Sequence, residues 1–317
     1  MPEHLAVHGS TGAGLSVGKH AAQPPWLERG LRWLGRQRWL RYGLRRRVLW
    51  WLAHPERSPD RHFETEFAGF TYPGHLQRWI DWIVYYEGGY ELDELELMRE
   101  LMRDRPAPVA LDIGANVGHH TLYIASFCHH VHAFEPYDGV GRCIDEKIAR
   151  NGLQNVTVHR VGMGEHDEEL DYYAPKGHNI GTGSFVPGHE ASNNVLLGRL
   201  KLVDADAYMD GLALDHVDLV KIDVEGFELS VIRGMARSLA RYRPVIVMEL
   251  ADATRAQFSS MEAFLTLFPP GYRVDEVQSL RPRWGVLARQ GCALATPDFS
   301  RPARPGHYMN LLLRPDA

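Results

Sequence analysis

Apolar and polar positions along this 317-residue chain follow two rhythms, and the switch between them marks the elements. Short apolar runs stand at Val109–Ile113 and at residues 131–134, 156–161, 219–224 and 245–248, each the length of a buried strand. Between them apolar residues return every three or four positions. Leu229, Val231, Ile232 and Met235 do so after Glu228, which predicts a helix, and another is predicted from about His119. Strands alternating with helices predict an α/β fold with a doubly wound, mostly parallel sheet covered on both faces. Upstream, residues 91–103 predict a helix with Leu92, Leu95, Met98 and Met102 on one face, ended by Pro106 and Pro108. Residues 272–277 and 307–313 predict the last strands.

The first hundred residues have a different character. Residues 1–25 are rich in Gly, Ala, Ser and His and predict a flexible tail. In residues 26–52, eight arginines against the single acid Glu28 leave this stretch at +7, and the rest of a chain of net charge −5 at −12. Five of the eight tryptophans also lie there. The spacing of Trp26, Leu27, Leu31, Leu34, Leu40, Leu44, Val48 and Trp51 is broadly helical, with arginines on other turns. Such a basic aromatic helix packs on its own domain with arginines in solvent, docks on an anionic membrane surface, or meets a protein partner. The expected organisation is a tail over 1–25, a basic and aromatic helical region over 26–105, and an α/β domain over 106–317.

Composition narrows the class. Hydrophobic residues make up 44% and charged residues 24%, as in a soluble globular protein, which excludes collagen, coiled coil and wholesale disorder. Three cysteines, Cys128, Cys143 and Cys292, without CxxC spacing, provide neither a disulfide framework nor a cysteine zinc site, and a reducing cytoplasm is the expected compartment. No apolar run reaches the ~18–20 residues that span a bilayer. The basic stretch is short and the remainder acidic, so nucleic acid is not an expected partner.

The run Asp112-Ile-Gly-Ala-Asn-Val-Gly118 follows the first apolar strand and precedes a helix. Gly114 and Gly118 permit a sharp turn and a close ligand, and the helix N-terminus offers free N–H groups. One strand later Glu135, before Pro136, stands at a strand end about 20 residues beyond the glycines, where a carboxylate accepts both hydroxyls of a ribose. A dinucleotide site uses three glycines to clear room for a pyrophosphate, and this run keeps two, with Asp112 ahead of the turn. S-adenosylmethionine carries an amino-acid end and a sulfonium cation instead of phosphate, and suits the acid better. An NAD-dependent oxidoreductase is the alternative.

With Phe134-Glu-Pro136 and Lys221-Ile-Asp-Val-Glu-Gly226, this run resembles the FkbM-type methyltransferases, a family with the class I S-adenosylmethionine-dependent fold. The likeness covers residues 80–315, including the aromatic stretch ahead of the first strand. It implies O-methylation of a hydroxyl, in relatives usually on a sugar, a glycan or a polyketide product. It further implies Asp112, Gly114, Asn116 and Gly118 around the methionine end of the donor, Glu135 on the ribose, Gly162 and Met163 along the adenine, and an antiparallel final strand pair.

Asp223 and Glu225 stand at the carboxyl end of one strand and Glu249 at the end of the next, and packing does not explain acids at both ends. Methyl transfer to an alcohol requires alignment and a proton acceptor, for which Asp223 or Glu249 would serve. Alternatively Asp223, Glu225 and Glu249 would hold a divalent cation such as Mg or Mn. Lys221, inside the strand, is expected to pair with a carboxylate. Asn179 and Ser184, in a polar segment with aromatic edges, are the expected substrate contacts. The pairs His119-His120 and His129-His130 are expected in solvent or core roles. The expected function is methylation of a saccharide, glycan or metabolite hydroxyl; a donor-binding scaffold docked through residues 26–52 is the non-catalytic alternative.

Overall fold

The computed structural model describes residues 25–175, 183–185, 194–280, 287, 290–304 and 307–316. The basic stretch forms two helices, α1 (Pro25–Gly35) and α2 (Tyr42–Leu52), where one helical run was expected. Gly35, the last residue of the first, lies against the Tyr86 carbonyl: a Cβ there would come within 2.3 Å of that oxygen. The hairpin β1 (His62–Phe67) and β2 (Phe70–His75) follows, in a region expected to be helical. Ala68 and Gly69 both adopt positive φ, +55° and +84°, in the two-residue loop between paired Phe67 and Phe70, a turn that matches strand twist. Helices α3 (Trp79–Glu87) and α4 (Leu92–Met102) complete this part, the second as expected.

The remainder is β3 (Val109–Ile113), α5 (His119–Ala125), β4 (His130–Phe134), α6 (Asp138–Asn151), β5 (Val156–His159), β6 (Gly162–Gly164), β7 (Glu168–Pro175), β8 (Asn194–Asp204), α7 (Ala205–Leu212) and β9 (Leu219–Ile222). After these come α8 (Glu228–Gly234), α9 (Ala236–Tyr242), β10 (Val245–Ala251), α10 (Asp252–Arg255), α11 (Met261–Leu265), β11 (Tyr272–Ser279), β12 (Cys292–Ala295) and β13 (Tyr308–Pro315). The main sheet has the order β12-β11-β13-β10-β9-β3-β4-β5. From β10 to β5 all neighbours are parallel, whereas β13 lies antiparallel between β10 and β11. The chain winds outward from β3 to β5 and then restarts beside β3 with β9. That reversal opens a crevice at the carboxyl ends of β3 and β9, where open α/β sheets bind ligands.

The apolar strands are buried on both faces. Along β9, Leu219 joins a core with Trp82, Tyr86, Leu95 and Met98, while its neighbour Val220 joins Leu111, Val231, Ile232 and Phe264 on the other side. The region before residue 106 thus packs directly on one sheet face and shares its core. The third apolar run, expected as one strand over 156–161, ends at His159. Gly162–Gly164 leaves the main sheet to pair with β8 in a second, three-stranded sheet.

Two arginines of the basic stretch are ion-paired, Arg46 with Glu87 at 2.7 Å and Arg38 with Asp93 and Glu96 at 2.5 Å each, while Glu28 of α1 pairs with Arg61 at 2.6 Å. Five tryptophans point outward instead, with Trp51 77%, Trp26 69% and Trp33 62% exposed. Among the described residues no helix is long and apolar enough to cross a membrane.

His132 and His159 make a buried polar chain across β4 and β5: His132 Nδ1 lies 3.0 Å from His159 Nε2, and His159 Nδ1 3.0 Å from the Tyr208 hydroxyl. Burial pushes both imidazoles down to about 4, below an ordinary value of 6.5. Between about pH 4 and 6.5 the folded state therefore binds fewer protons than the unfolded chain. Stability should fall as pH drops through this window, and His159→Gln should flatten that slope. Urea midpoints at pH 4.5 and 7 test this; an unchanged slope in the variant would show that the pair does not titrate on unfolding.

Candidate functional site

Gly114 leaves β3 with φ +82°, and a Cβ on it would lie 1.8 Å from the Asp223 carbonyl oxygen. Only glycine lets the β3 turn approach the end of β9 so closely. Asn116 also takes positive φ, +52°, and its N–H donates to Glu135 Oε2 at 3.0 Å, while the Tyr137 N–H donates to Oε1 at 2.9 Å. Glu135 is buried, and burial raises its proton affinity to about 7 despite these two donors. Its carboxylate thus straps the motif loop to the end of β4, and retains lone pairs for a ligand hydroxyl. Gly118 turns the chain into α5, where Ile144 fills the space a side chain would need.

One cleft gathers most of the residues expected around the donor: Gly114, Asn116, Glu135, Gly162 and Met163, with Phe134, Phe185, Asp223 and Glu225. Carboxylates for a cation and for hydroxyls, with Phe and Met walls for a flat ring, fit a nucleoside methyl donor. The cleft encloses about 60 Å³, with Gly183–Phe185 forming one of its walls. Asp112 is not in this lining. It is fully buried behind the turn, accepting from the Thr121 hydroxyl at 2.6 Å. Ser184 belongs to the cleft wall: its hydroxyl donates to the Glu225 carbonyl at 2.7 Å, so its place is beside the donor residues. Asn179 lies outside the described residues.

At the reacting end, Lys221 on β9 reaches between two acids, 2.9 Å from Asp223 Oδ2 and 3.9 Å from Asp112 Oδ1, with its side chain 4% exposed. The expected pairing of this lysine is present. Burial alone would raise the Asp223 carboxyl, but the charge and hydrogen bond of Lys221 outweigh it and hold Asp223 below its ordinary range. Glu249 hydrogen-bonds Asp223 and is driven upward, first by burial and then by the charges of Asp223 and Glu91. The pair therefore holds one proton, on Glu249. Glu225, in a left-handed turn at φ +49°, accepts from the Tyr308 hydroxyl at 2.9 Å.

The three carboxylates expected to form a cation site do not present a compact ligand set. The group that does, among the described residues, is Glu91, Glu94 and His120. Sequence reasoning passed over these three because residues 91–103 read as a helix defined by its apolar face, and the adjacent His119 and His120 as solvent or core residues. The signal was the spacing itself, since residues three apart share a helix face. The histidines do diverge: His119 stacks on Phe67 at 4.4 Å, whereas His120 turns toward Glu91. His130 lies 2.9 Å from the Thr157 hydroxyl. A cleft of about 510 Å³ opens beside this group, lined by Tyr90, Glu91, Glu94 and Asn310 and, farther out, by Arg38, Arg41, Arg45 and Arg46.

The profile of the methyltransferase FkbM domain matches residues 112–274, about half of the chain, beginning on the Asp112 motif. The protein belongs to the FkbM methyltransferase family. It is 30% identical over 250 residues to the AMB antimetabolite synthetase AmbE of Pseudomonas aeruginosa, which covers 67% of this chain but only 11% of that much longer protein. Methyltransferase 1 of Beauveria bassiana is 25% identical over 216 residues, 60% of this chain and 86% of its own. Among solved structures, the FkbM methyltransferase of Methylobacillus flagellatus aligns with a TM-score of 0.41 and 17% identity, over 65% of this chain and 43% of that one. Membership of this family displaces the dehydrogenase alternative.

Lys221→Met tests the charge arrangement, since it keeps length while leaving the buried Asp112 and the half-buried Asp223 without their counter-charge. Loss of one member of a buried ion group costs about 3–5 kcal/mol. Urea unfolding should show a destabilisation of this order; a loss under about 1 kcal/mol would mean that the two acids do not depend on the lysine.

Proposed function

We propose that this protein transfers a methyl group from S-adenosylmethionine to a hydroxyl of a saccharide, glycan or related metabolite. The observation that carries this reading is the position of Asp223. It lines the donor cleft and also hydrogen-bonds Glu249, whose neighbour Glu91 walls the larger cleft. The donor supplies an activated methyl group on a sulfonium, and the family's fold implies that donor. Glu135 would hold its ribose hydroxyls, Asn116 and the Gly114 turn its amino-acid end, and Met163 with Phe185 its base. Asp223, kept ionised by Lys221, accepts the hydrogen bond of the acceptor hydroxyl and orients its oxygen toward the methyl carbon. As the new bond forms, the hydroxyl proton passes to Asp223. Retention of a buried charge group, rather than apolar filling, favours catalysis over a scaffold role.

Calorimetry with S-adenosylhomocysteine tests the donor part. Glu135→Gln should weaken binding by about 1–3 kcal/mol, the scale for hydrogen bonds to a charged group. Asp223→Asn should leave that affinity nearly unchanged while lowering transfer of labelled methyl to fractionated glycans or metabolites by about 10²–10⁴-fold. Absence of homocysteine-nucleoside binding by the wild type would overturn the reading.

We further propose that helices α1 and α2 hold the enzyme on an anionic membrane surface. Trp26, Arg29 and Trp33 lie on one exposed stripe of α1, and Leu44, Arg47, Val48 and Trp51 on one of α2. No ion pair engages Arg29 or Arg47 among the described residues, which leaves two cations beside rings suited to headgroup depth. Sedimentation with phosphatidylserine vesicles should retain the wild type, and Trp33→Ser with Trp51→Ser should reduce retention several-fold with S-adenosylhomocysteine affinity unchanged. Equal retention, or equal binding to neutral vesicles, would remove the proposal.

A further inference from the structure

The structure assigns a divalent metal site to Glu91, Glu94 and His120, on the acceptor side of Asp223. Each residue offers one ligand atom, and these atoms all lie within 4.8 Å of one another; an ion at about 2.0–2.2 Å from each holds its ligand atoms no more than about 4.4 Å apart, so binding draws the three side chains in by a few tenths of an ångström. The backbone presents them deliberately. Glu91 caps α4 in a left-handed conformation at φ +50°, unusual for a non-glycine residue, and Glu94 follows on the same helix face. His120 comes from the start of α5, so two helices contribute to the group.

His120 supplies the independent sign of a missing ligand. The residue is 5% exposed, yet its Nε2 has no hydrogen bond and points toward Glu91, 3.3 Å from Oε2. An unbonded buried ring nitrogen aimed between two carboxylates costs stability unless something occupies the gap. Glu94 is also fixed from behind, since Asn310 Nδ2 donates to its Oε2 at 3.0 Å, the kind of outer contact that orients a metal ligand. Around the group stand Asp112, Asp223 and Glu225, against the single ammonium of Lys221. A doubly charged cation offsets that excess.

Two carboxylates with one imidazole suit a first-row transition ion such as Mn²⁺ better than Mg²⁺, which takes oxygen ligands. Glu91 and Glu94 line the 510 Å³ cleft, so the remaining coordination positions face space where an acceptor can enter. The role given to the ion, though not the site, rests on the methyl-transfer reading. Asp223 is tied to Lys221 and is a weak base for an alcohol. An ion binding the acceptor oxygen makes its proton easier to remove. The proton then goes to the Asp223 carboxylate, the oxygen lone pair forms the bond to the methyl carbon, and the carbon–sulfur pair returns to sulfur, leaving a neutral thioether.

The experiment is a titration of the metal-stripped full chain with MnCl₂, reading free Mn²⁺ by electron paramagnetic resonance, with S-adenosylhomocysteine affinity measured on the same samples. The wild type should bind one Mn²⁺ per chain. Glu94→Gln and, separately, His120→Asn should each weaken it at least tenfold, whereas Glu100→Gln, an exposed acid elsewhere on α4, should not. Homocysteine-nucleoside binding without Mn²⁺ binding by the wild type overturns the site and leaves the methyl-transfer reading intact. Unaltered Mn²⁺ affinity in both site variants overturns it too, as an ion bound elsewhere. Stoichiometric Mn²⁺ without homocysteine-nucleoside binding upholds the site and removes the role.

Discussion

The buried ammonium of Lys221 between Asp112 and Asp223 is the constraint on which the rest of the site depends. It sits where β3 and β9 run side by side, with Asp112 paired in register with Lys221. An isolated lysine inside a sheet would lose its charge or unfold its surroundings, and two isolated acids would take up protons. Lys221 is held as an ammonium and Asp223 as a carboxylate, and the sheet gains a fixed charge group where its winding reverses. Asp223 is consequently a permanent carboxylate at the rim of the donor cleft, and Glu249 beside it takes the proton that a second nearby charge forbids.

The glycine turn follows from the same crowding. Because the Asp223 carbonyl occupies the space next to Gly114, the two strand ends are locked together and the cleft between them is shaped by backbone rather than by adaptable side chains. Glu135 fastens the far side of the loop through two N–H groups. Geometry of this kind favours methyl transfer, in which placing the acceptor oxygen in line supplies much of the rate. The residues that bring acceptor and donor together therefore need rigidity more than strong acid–base power.

Residues before 106 do more than decorate this sheet. Helix α4 carries Glu91 and Glu94 to the reacting end, and α3 buries Trp82 and Tyr86 under β9. Arg38, Arg45 and Arg46, which the sequence presents as a cationic stripe, instead fasten α1 and α2 to acids and carbonyls and line a cleft. The exposed tryptophans remain as an outward surface of the same two helices.

Local pattern alone determined the alternating strands and helices, the glycine turn after β3, the acid at the end of β4 and the pairing of Lys221, because each depends on period, on missing Cβ atoms or on charge within a few residues. It also placed Asp223 and Glu225 just past the end of β9, whereas Glu249, expected at a strand end, lies inside β10, which runs on to Ala251 against β13. Tertiary structure decided what lay beyond that range. It divided the basic stretch into two helices and requires glycine at residue 35, where the Tyr86 carbonyl that excludes a side chain is 51 residues away in sequence. It moved Gly162 and Met163 into a second sheet through pairing with β8. It gave Ser184 to the Glu225 carbonyl and joined Glu91 and Glu94 to His120, contacts across 41 and about 26–29 residues. No periodicity carries such information: a carboxylate on a helix face reads as solvated until the fold closes another element over it.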